Sequence, residues 1–581
     1  MKNKLLDLYA EILEICGINQ DSEQKKRKNV IILKCLREFI NQCERPAIWC
    51  FGEHTKVLMS DYIYDLKKVN YIIDENYSEK SSAGFKFIPK GQIEKFKIDG
   101  IIISSFKYRE EIKEEIIHIN PTIKYLDIYE ELAKSGIDCE MEYYRESHPY
   151  DFYRQINNNK LKFKNDNDID SLIKLIKIFV KIKDFYCAIH YTKKLLEIKC
   201  DKSTKQLLFK LEEIYKLQLN VAQIIPDRNV LMICFDGLRR KDVKLLPELN
   251  KYIKNNMLYF DNAYSISTST YESLIPAYSN CYDFNTRYYE KNTIKKNGCQ
   301  FINDALKQGR NIYFYTDGMH FVENDQIKVI EECQTATQKI WDFIIDSCEE
   351  ENGLFYIHFL YESHFSYPSP YIDIPVVAEG TNILFDYLPI NGGKIKTDYN
   401  LQHKESLRYL DDVVSPFLKV LNTKIVLFAD HGNIILNQNE TLKDIKYPML
   451  TFCSDLIEIP IAIKTNTGMV KRNSSLCSLS NINYFVCSLL KDEEINIKKV
   501  AFIKVQRSQI YNPDFKYLYK ILGAEQGLLA FELFIFENGY KIVIYSDGKI
   551  ELYLDENKIN KIEMQQYLYN VVKDYVTVVR R

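Results

Sequence analysis

Three things are missing from this chain: long hydrophobic runs, an excess of charge of either sign, and a cysteine framework. No uninterrupted apolar stretch approaches the ~18 residues of a membrane span, so no integral membrane segment is expected. The 78 basic and 80 acidic residues leave a formal net charge of −2. Without a basic excess no nucleic-acid partner is expected, and no acidic block forms a solvating tail. The 15 cysteines are scattered, without a CxxC pair or regular spacing. That pattern excludes a disulfide scaffold and fits a reducing compartment. Cys35, Cys234 and Cys487 lie inside apolar runs, where a thiol behaves as a small hydrophobe. The opening "MKNKLLDLYAEILEICGINQ" carries charges within its apolar stretch, so it reads as an amphipathic helix rather than a signal peptide. The expected location is cytoplasmic.

What is present is globular. Hydrophobic residues make up 46% and charged residues 27% of 581, a length for roughly three to four domains. Residues 1–44 place apolar positions at helical spacing. Residues 45–150 alternate strands ("AIWCF", "VNYIID", "DGIIIS") with charged helices, the pattern of a small doubly wound sheet. Asp74 follows Gly52 at about the distance of an acidic ribose ligand in a dinucleotide fold, but "FGEHT" has one glycine where the fingerprint needs three. This segment resembles the Rossmann-like modules of bacterial sugar-modifying enzymes. Nucleotide or nucleotide-sugar binding and a docking or scaffold role both remain open for it. Residues 151–225, with the polar linker "NDNDID", read as a helical segment similar to one tetratricopeptide unit, which must pack on a neighbour; His190 there reads as a packing residue. The large domain spans 226–505. Residues 506–581 hold hairpin strands around the turns "ENGY" and "SDGK", then a last helix. The fold class expected is multidomain α/β.

Two acidic strand ends carry the chemistry. Asp236-Gly237 closes "NVLMICF" and Asp430-His431 closes "KIVLFA". In open α/β sheets ligands bind just beyond the carboxyl ends of such strands, and two carboxylates with an imidazole make a metal-binding set. Between them lies "SISTSTYES", a hydroxyl-rich turn before a helix. A hydroxyl at a helix N-terminus meets unpaired N–H groups, although such hydroxyls also serve as plain helix caps.

The order of Asp236-Gly237, "FDNAYSISTST", "YIHFLYESHFSYPSP" and "ADHGN" resembles the alkaline phosphatase/sulfatase superfamily over residues 228–465, nearest to its phosphoethanolamine and phosphoglycerol transferase branch. The resemblance implies an alkaline-phosphatase-like αβα sandwich and a metal held by Asp236, Asp430, His431 and a deprotonated Thr270. Thr270 would be the nucleophile, with Thr268 as runner-up, and His364 would meet the transferred phosphate or the leaving group. His358 reads as a core residue more than a catalytic one. Asp317 and His320 read either as pocket-lining residues or as a plain turn. A donor set of carboxylates, imidazole and alkoxide suits Zn²⁺ or Mn²⁺ better than Mg²⁺.

Three departures narrow the expectation. "STSTYESL" lacks the C/S-x-P-x-R motif of sulfatases, so phosphate esters are expected and sulfuric esters are not. No histidine follows His431; "DLIEIPIAI" offers Glu458 instead, which favours one main metal. The branch's membrane helices are missing. The function expected is a metal-dependent phosphoester hydrolase or phosphotransferase, acting on a phosphorylated small molecule or glycan in surface polysaccharide modification. The rival is a sulfatase-like binding or scaffold protein without turnover that recognises a nucleotide-sugar or a partner enzyme. Oligomeric state is not legible.

Overall fold

A computed structural model describes residues 1–18, 22–52, 54–55, 58–59, 62, 65–75, 85–136, 149–286, 288, 293–372, 397–435, 437–441, 452–466, 468, 470–496, 499–510, 516, 519–520, 523 and 525–579. The strands form three sheets, and the chain is a multidomain α/β protein. Among the described residues no helix is long and apolar enough to cross a membrane.

The first sheet is parallel: β1 (Pro46–Trp49), β2 (Tyr71–Ile73), β3 (Lys86–Ile88), β4 (Gly100–Ile103) and β5 (Lys124–Asp127), in the order β3-β2-β1-β4-β5. Every position of β1 and β4 is buried, as expected where helices cover both faces and the strands read as continuous apolar runs. The helix Ser22–Asn41 covers one face through Leu36, Phe39 and Ile40. The helix Arg109–Ile119 covers the other through Ile112 and Ile116.

The helix Lys2–Ile15 packs elsewhere. Leu5, Leu8 and Ile12 join the core of the helical segment and the large sheet, so the two N-terminal helices serve different cores. The helical segment comprises Pro149–Asp166, Ile169–Lys181, Phe185–Ile198 and Lys202–Gln223. Asp168, Asp184 and Asp201 each accept a backbone N–H at the start of the following helix, the capping that sets such breaks. The polar stretch "NDNDID" is therefore a helix end, a turn and a cap. The neighbour this segment packs on is the large domain: Tyr409 donates to the buried Asp184 at 2.8 Å.

The large sheet contains β6 (Val230–Phe235), β7 (Leu258–Tyr264), β8 (Asn311–Tyr315), β9 (Ile327–Val329), β10 (Gly353–Phe359), β11 (Lys424–Phe428), β12 (Ile461–Lys464) and β13 (Lys471–Ser478). Their order is β13-β7-β12-β11-β6-β10-β8-β9. β6 lies at the centre, parallel to β10 and β11, in registers that pair Cys234 with both His358 and Phe428. The carboxyl ends of these three strands are thus level. The third sheet, β14 (Phe502–Arg507), β15 (Phe531–Phe536), β16 (Tyr540–Tyr545), β17 (Ile550–Leu554) and β18 (Asn557–Lys558), is an antiparallel meander. One face packs on Tyr264, Leu456 and Leu476 of the large domain; the other carries the helix Ile562–Val572.

Candidate metal centre and nucleophile

The level strand ends determine which side chains meet. Asp236 follows β6 directly and its N–H donates to Phe359 O of β10 at 3.1 Å. Gly237 turns the chain at φ +70°, a conformation that costs a Cβ-bearing residue energy. A Cβ there would also lie 2.6 Å from Asn433 Nδ2. The Gly237 N–H donates to Asp430 Oδ1 at 3.1 Å, tying the two strand ends together. Beyond β11, His431 is followed by Gly432, where any Cβ would collide with the Asp455 carbonyl.

Four imidazole and carboxylate side chains converge on Asp236. His358 Nε2 lies 3.0 Å from Asp236 Oδ2. On the other oxygen, Oδ1, His431 Nε2 is at 3.7 Å and His364 Nε2 at 3.8 Å. His431 Nε2 is also 3.3 Å from Asp430 Oδ2. The ring tautomers follow from the remaining nitrogens: His431 Nδ1 donates to Gly432 O at 2.7 Å and His364 Nδ1 to Phe365 O at 2.9 Å. Each therefore keeps its Nε2 lone pair for the cluster, the arrangement that orients metal-binding histidines.

Thr270 opens the helix Thr270–Ser279, with Ser269 at its N-cap. Its hydroxyl donates to Asp236 Oδ2 at 3.3 Å and lies 3.3 Å from His431 Nε2. Of the hydroxyls in "SISTST", only that of Thr270 contacts these two side chains among the described residues. Thr268 lies in the turn before it. Ser265 braces the turn by donating to the Asp430 carbonyl at 2.5 Å. From the N-terminal sheet domain, Lys67 Nζ stands 5.6 Å from the centre of the Tyr271 ring, beside Thr270 in the chain.

The electrostatics are those of a cation site. Burial alone would raise the Asp236 carboxyl; His364, His358 and His431 outweigh it and hold the group well below the usual carboxylate range. Asp430 is pushed up by burial and then by the charge of Asp236. Burial would lower His431, but Asp430 and Asp236 raise it. Asp236 Oδ1 and Asp430 Oδ2 are both buried and accept no hydrogen bond among the described residues. Two unpaired carboxylate oxygens at one buried point are costly, and a divalent cation satisfies both. The ligand atoms divide into two overlapping triads that share Asp236: Asp236–His364–His431 and Asp236–His358–Asp430, each within 4.8 Å. The donor set fits a divalent metal. Where the sequence favours one main metal position, the geometry offers two adjoining ones.

One sequence expectation changes here, and one pair of open alternatives is decided. His358 belongs to the core, fully buried on β10, and also to the site, through Asp236. An imidazole in an otherwise apolar strand was the available signal. Asp317 does not line the cluster. It is ion-paired with the equally buried Lys339, whose Nζ also donates to the His358 carbonyl at 2.5 Å. His320 pairs with Glu331 at 2.6 Å. Glu458 is held by Arg240 at 2.5 Å and takes no part. In the first sheet Asp74 accepts the Phe51 N–H at 2.8 Å, and His190 rests on Tyr191.

Residues 43–126 match the family described as C2185-like, N-terminal. A search of curated proteins finds no match to the chain. Among solved structures the chain is similar to the phosphonate monoester hydrolase SpPMH from Silicibacter pomeroyi, at 12% identity and a TM-score of 0.43, covering 61% of this chain and 96% of that one. It is similar to a 2-O GAG sulfatase at 14% identity and a TM-score of 0.42, covering 61% and 93%. It is also similar to the C-terminal periplasmic domain of EcEptC from Escherichia coli in complex with Zn, at 15% identity and a TM-score of 0.31, covering 45% and 81%. These neighbours are members of the alkaline phosphatase/sulfatase superfamily.

Proposed function

We propose that this chain is a divalent-metal-dependent phosphoester hydrolase or phosphotransferase with Thr270 as its nucleophile. The observation that carries the reading is the Thr270 hydroxyl, at a helix N-terminus and 3.3 Å from both Asp236 and His431. Asp236, Asp430 and His431 would hold the metal, Zn²⁺ or Mn²⁺ by donor type, with His364 and His358 completing the two triads. A bound divalent ion supplies charge neutralisation and a lowered pKa for a coordinated hydroxyl.

The chain's own residues supply the rest. Asp236 Oδ2 orients the Thr270 oxygen by accepting its hydrogen bond. The first-turn N–H groups of the Thr270 helix face an incoming anion with the positive end of the helix dipole. In the first step the Thr270 oxygen bonds to phosphorus, its proton leaves to water, and the ester oxygen departs with the electrons of the broken P–O bond. His364, whose side chain is 25% exposed, stands on the open side, where the leaving group passes. In the second step water or a glycan hydroxyl takes the phosphoryl group and the Thr270–phosphorus bond breaks. Positioning and charge stabilisation dominate such transfers. A phosphorylated glycan is the substrate class we assign, and the absence of C/S-x-P-x-R supports phosphate over sulfate.

Turnover of nitrophenyl phosphomonoesters, phosphodiesters and sulfates, with metal content measured on the same samples, tests the reading. Wild type should cleave a phosphoester in a chelator-sensitive manner, and Thr270→Ala should bind metal yet lose turnover by at least about 10³-fold. Full turnover by Thr270→Ala, or cleavage of the sulfate alone, would sink it.

A further inference from the structure

A second cavity lies away from the metal cluster, between the large domain and the third sheet. It has a volume of about 910 Å³, toward the upper end for ligand pockets. The helix Thr270–Ser279 joins the two places. Thr270 stands at its start, whereas Pro276, within it, and Asn280, its C-cap, line the cleft. At 1.5 Å per residue Asn280 lies about 15 Å along from Thr270, and Pro276 about 9 Å.

The chemistry of the cleft is uncharged and rich in donors and acceptors. Four amides line it, those of Asn280, Asn481, Asn496 and Gln506, with the hydroxyls of Ser478 and Ser480. The rings of Tyr282, Tyr484, Phe502 and Tyr575 complete the walls. No carboxylate lines it among the described residues. The one cation lining it among the described residues, Lys504, is already neutralised, donating to Glu532 at 3.1 Å and to the Tyr575 carbonyl at 3.3 Å. Gln506, 8% exposed, turns its amide to the wall of the cleft. At the mouth Tyr484 is 39% and Tyr575 58% exposed.

We propose that this cleft binds a neutral oligosaccharide. Amides offer a donor and an acceptor side by side, which matches vicinal hydroxyls, and amphipathic tyrosine rings cover the C–H faces of sugar rings. An anionic glycan or nucleic acid would require unpaired cations, and the described residues of the cleft present none. The wall is continuous with the nucleophile turn: the Tyr282 hydroxyl lies 3.4 Å from Glu272, which accepts from Ser267 at 2.9 Å. A glycan held here would extend toward Thr270. That link to turnover rests on the function proposed above; the binding itself does not.

Calorimetric titration of the full chain with neutral trisaccharides of glucose, galactose, mannose and N-acetylglucosamine tests the proposal. At least one should bind, with an affinity unchanged by added salt. Tyr484→Ala and Gln506→Ala should each weaken binding at least about tenfold while keeping the wild-type melting temperature and small-ester turnover. Thr270→Ala should bind the trisaccharide as wild type does, so loss of catalysis and loss of glycan binding are read separately. Binding of none of the four sugars overturns the proposal. So does preference for anionic glycans or peptides, or wild-type affinity in both cleft variants.

Discussion

The Thr270 hydroxyl lies 3.3 Å from His431 Nε2 across 161 residues of sequence. Helix start and strand end meet because β11 runs parallel beside β6 and Asp430 is tied to Gly237. That contact sets a hydroxyl against the buried carboxylate–imidazole cluster, and the proposed nucleophile rests on it.

Removing the cation should loosen the fold as well as abolish turnover. Asp236 and Asp430 are buried together with unpaired oxygens, so chelated protein should melt at a lower temperature than metal-loaded protein. Occupancy at a hundred times Kd contributes about 2.7 kcal/mol. Differential scanning calorimetry with Zn²⁺, Mn²⁺ or chelator checks this. Asp236→Asn should abolish the metal-dependent increment.

Gly432→Ala should cost about 1–3 kcal/mol through overpacking, because its Cβ runs into the Asp455 backbone. It should also displace His431 and weaken metal binding tenfold or more. Gly91→Ala, with nothing within 4 Å of the added carbon, is the control and should leave both unchanged. Denaturant melts and metal titration read the two effects.

Lys339 reaches the cluster through the His358 carbonyl. Lys339→Met leaves Asp317 buried without its counterion, a loss of about 3–5 kcal/mol. The double variant Lys339→Met, Asp317→Asn should recover most of that stability. Persistent loss of turnover in the folded double variant would mark Lys339 as a positioning residue for His358. Chemical unfolding beside steady-state kinetics separates the outcomes.

His403 gives the fold an acid-sensitive element. Burial, then Arg239, Lys241 and Lys404, lower its pKa to about 3, although Asp242 lies 3.6 Å away; Arg239 already pairs with that carboxylate. A histidine depressed in the folded state is stabilising while neutral. Its contribution is complete above about 6.5, the unfolded value, and is lost as pH falls toward 3. His403→Gln should flatten the stability profile between pH 6.5 and about 4, measured as unfolding midpoint against pH.

Much of the candidate cluster was legible because its residues sit where strands end. Asp236 and Asp430 each follow an apolar run, and Thr270 opens a helix, so local pattern marks all three. His358 was obscured by its strand: seven buried residues in a row look like core whether or not one carries an imidazole. Only the register against β6 shows that it reaches Asp236. Asp317 read as a pocket candidate because strand-end position was visible and its partner was not; Lys339 lies on a helix, and its pairing is a product of packing. The N-terminal alternation of strands and helices showed a parallel sheet, but the splitting of the first two helices between cores depends on tertiary contacts that local periodicity does not carry.

Rapid mixing of the metal-loaded protein with excess phosphodiester, acid quenching and peptide mass spectrometry test the central claim most directly. The expected result is one phosphoryl adduct on the peptide containing Thr270, absent in Thr270→Ala and after chelation. Turnover with no adduct at any quench time, or an adduct on another residue, would contradict it.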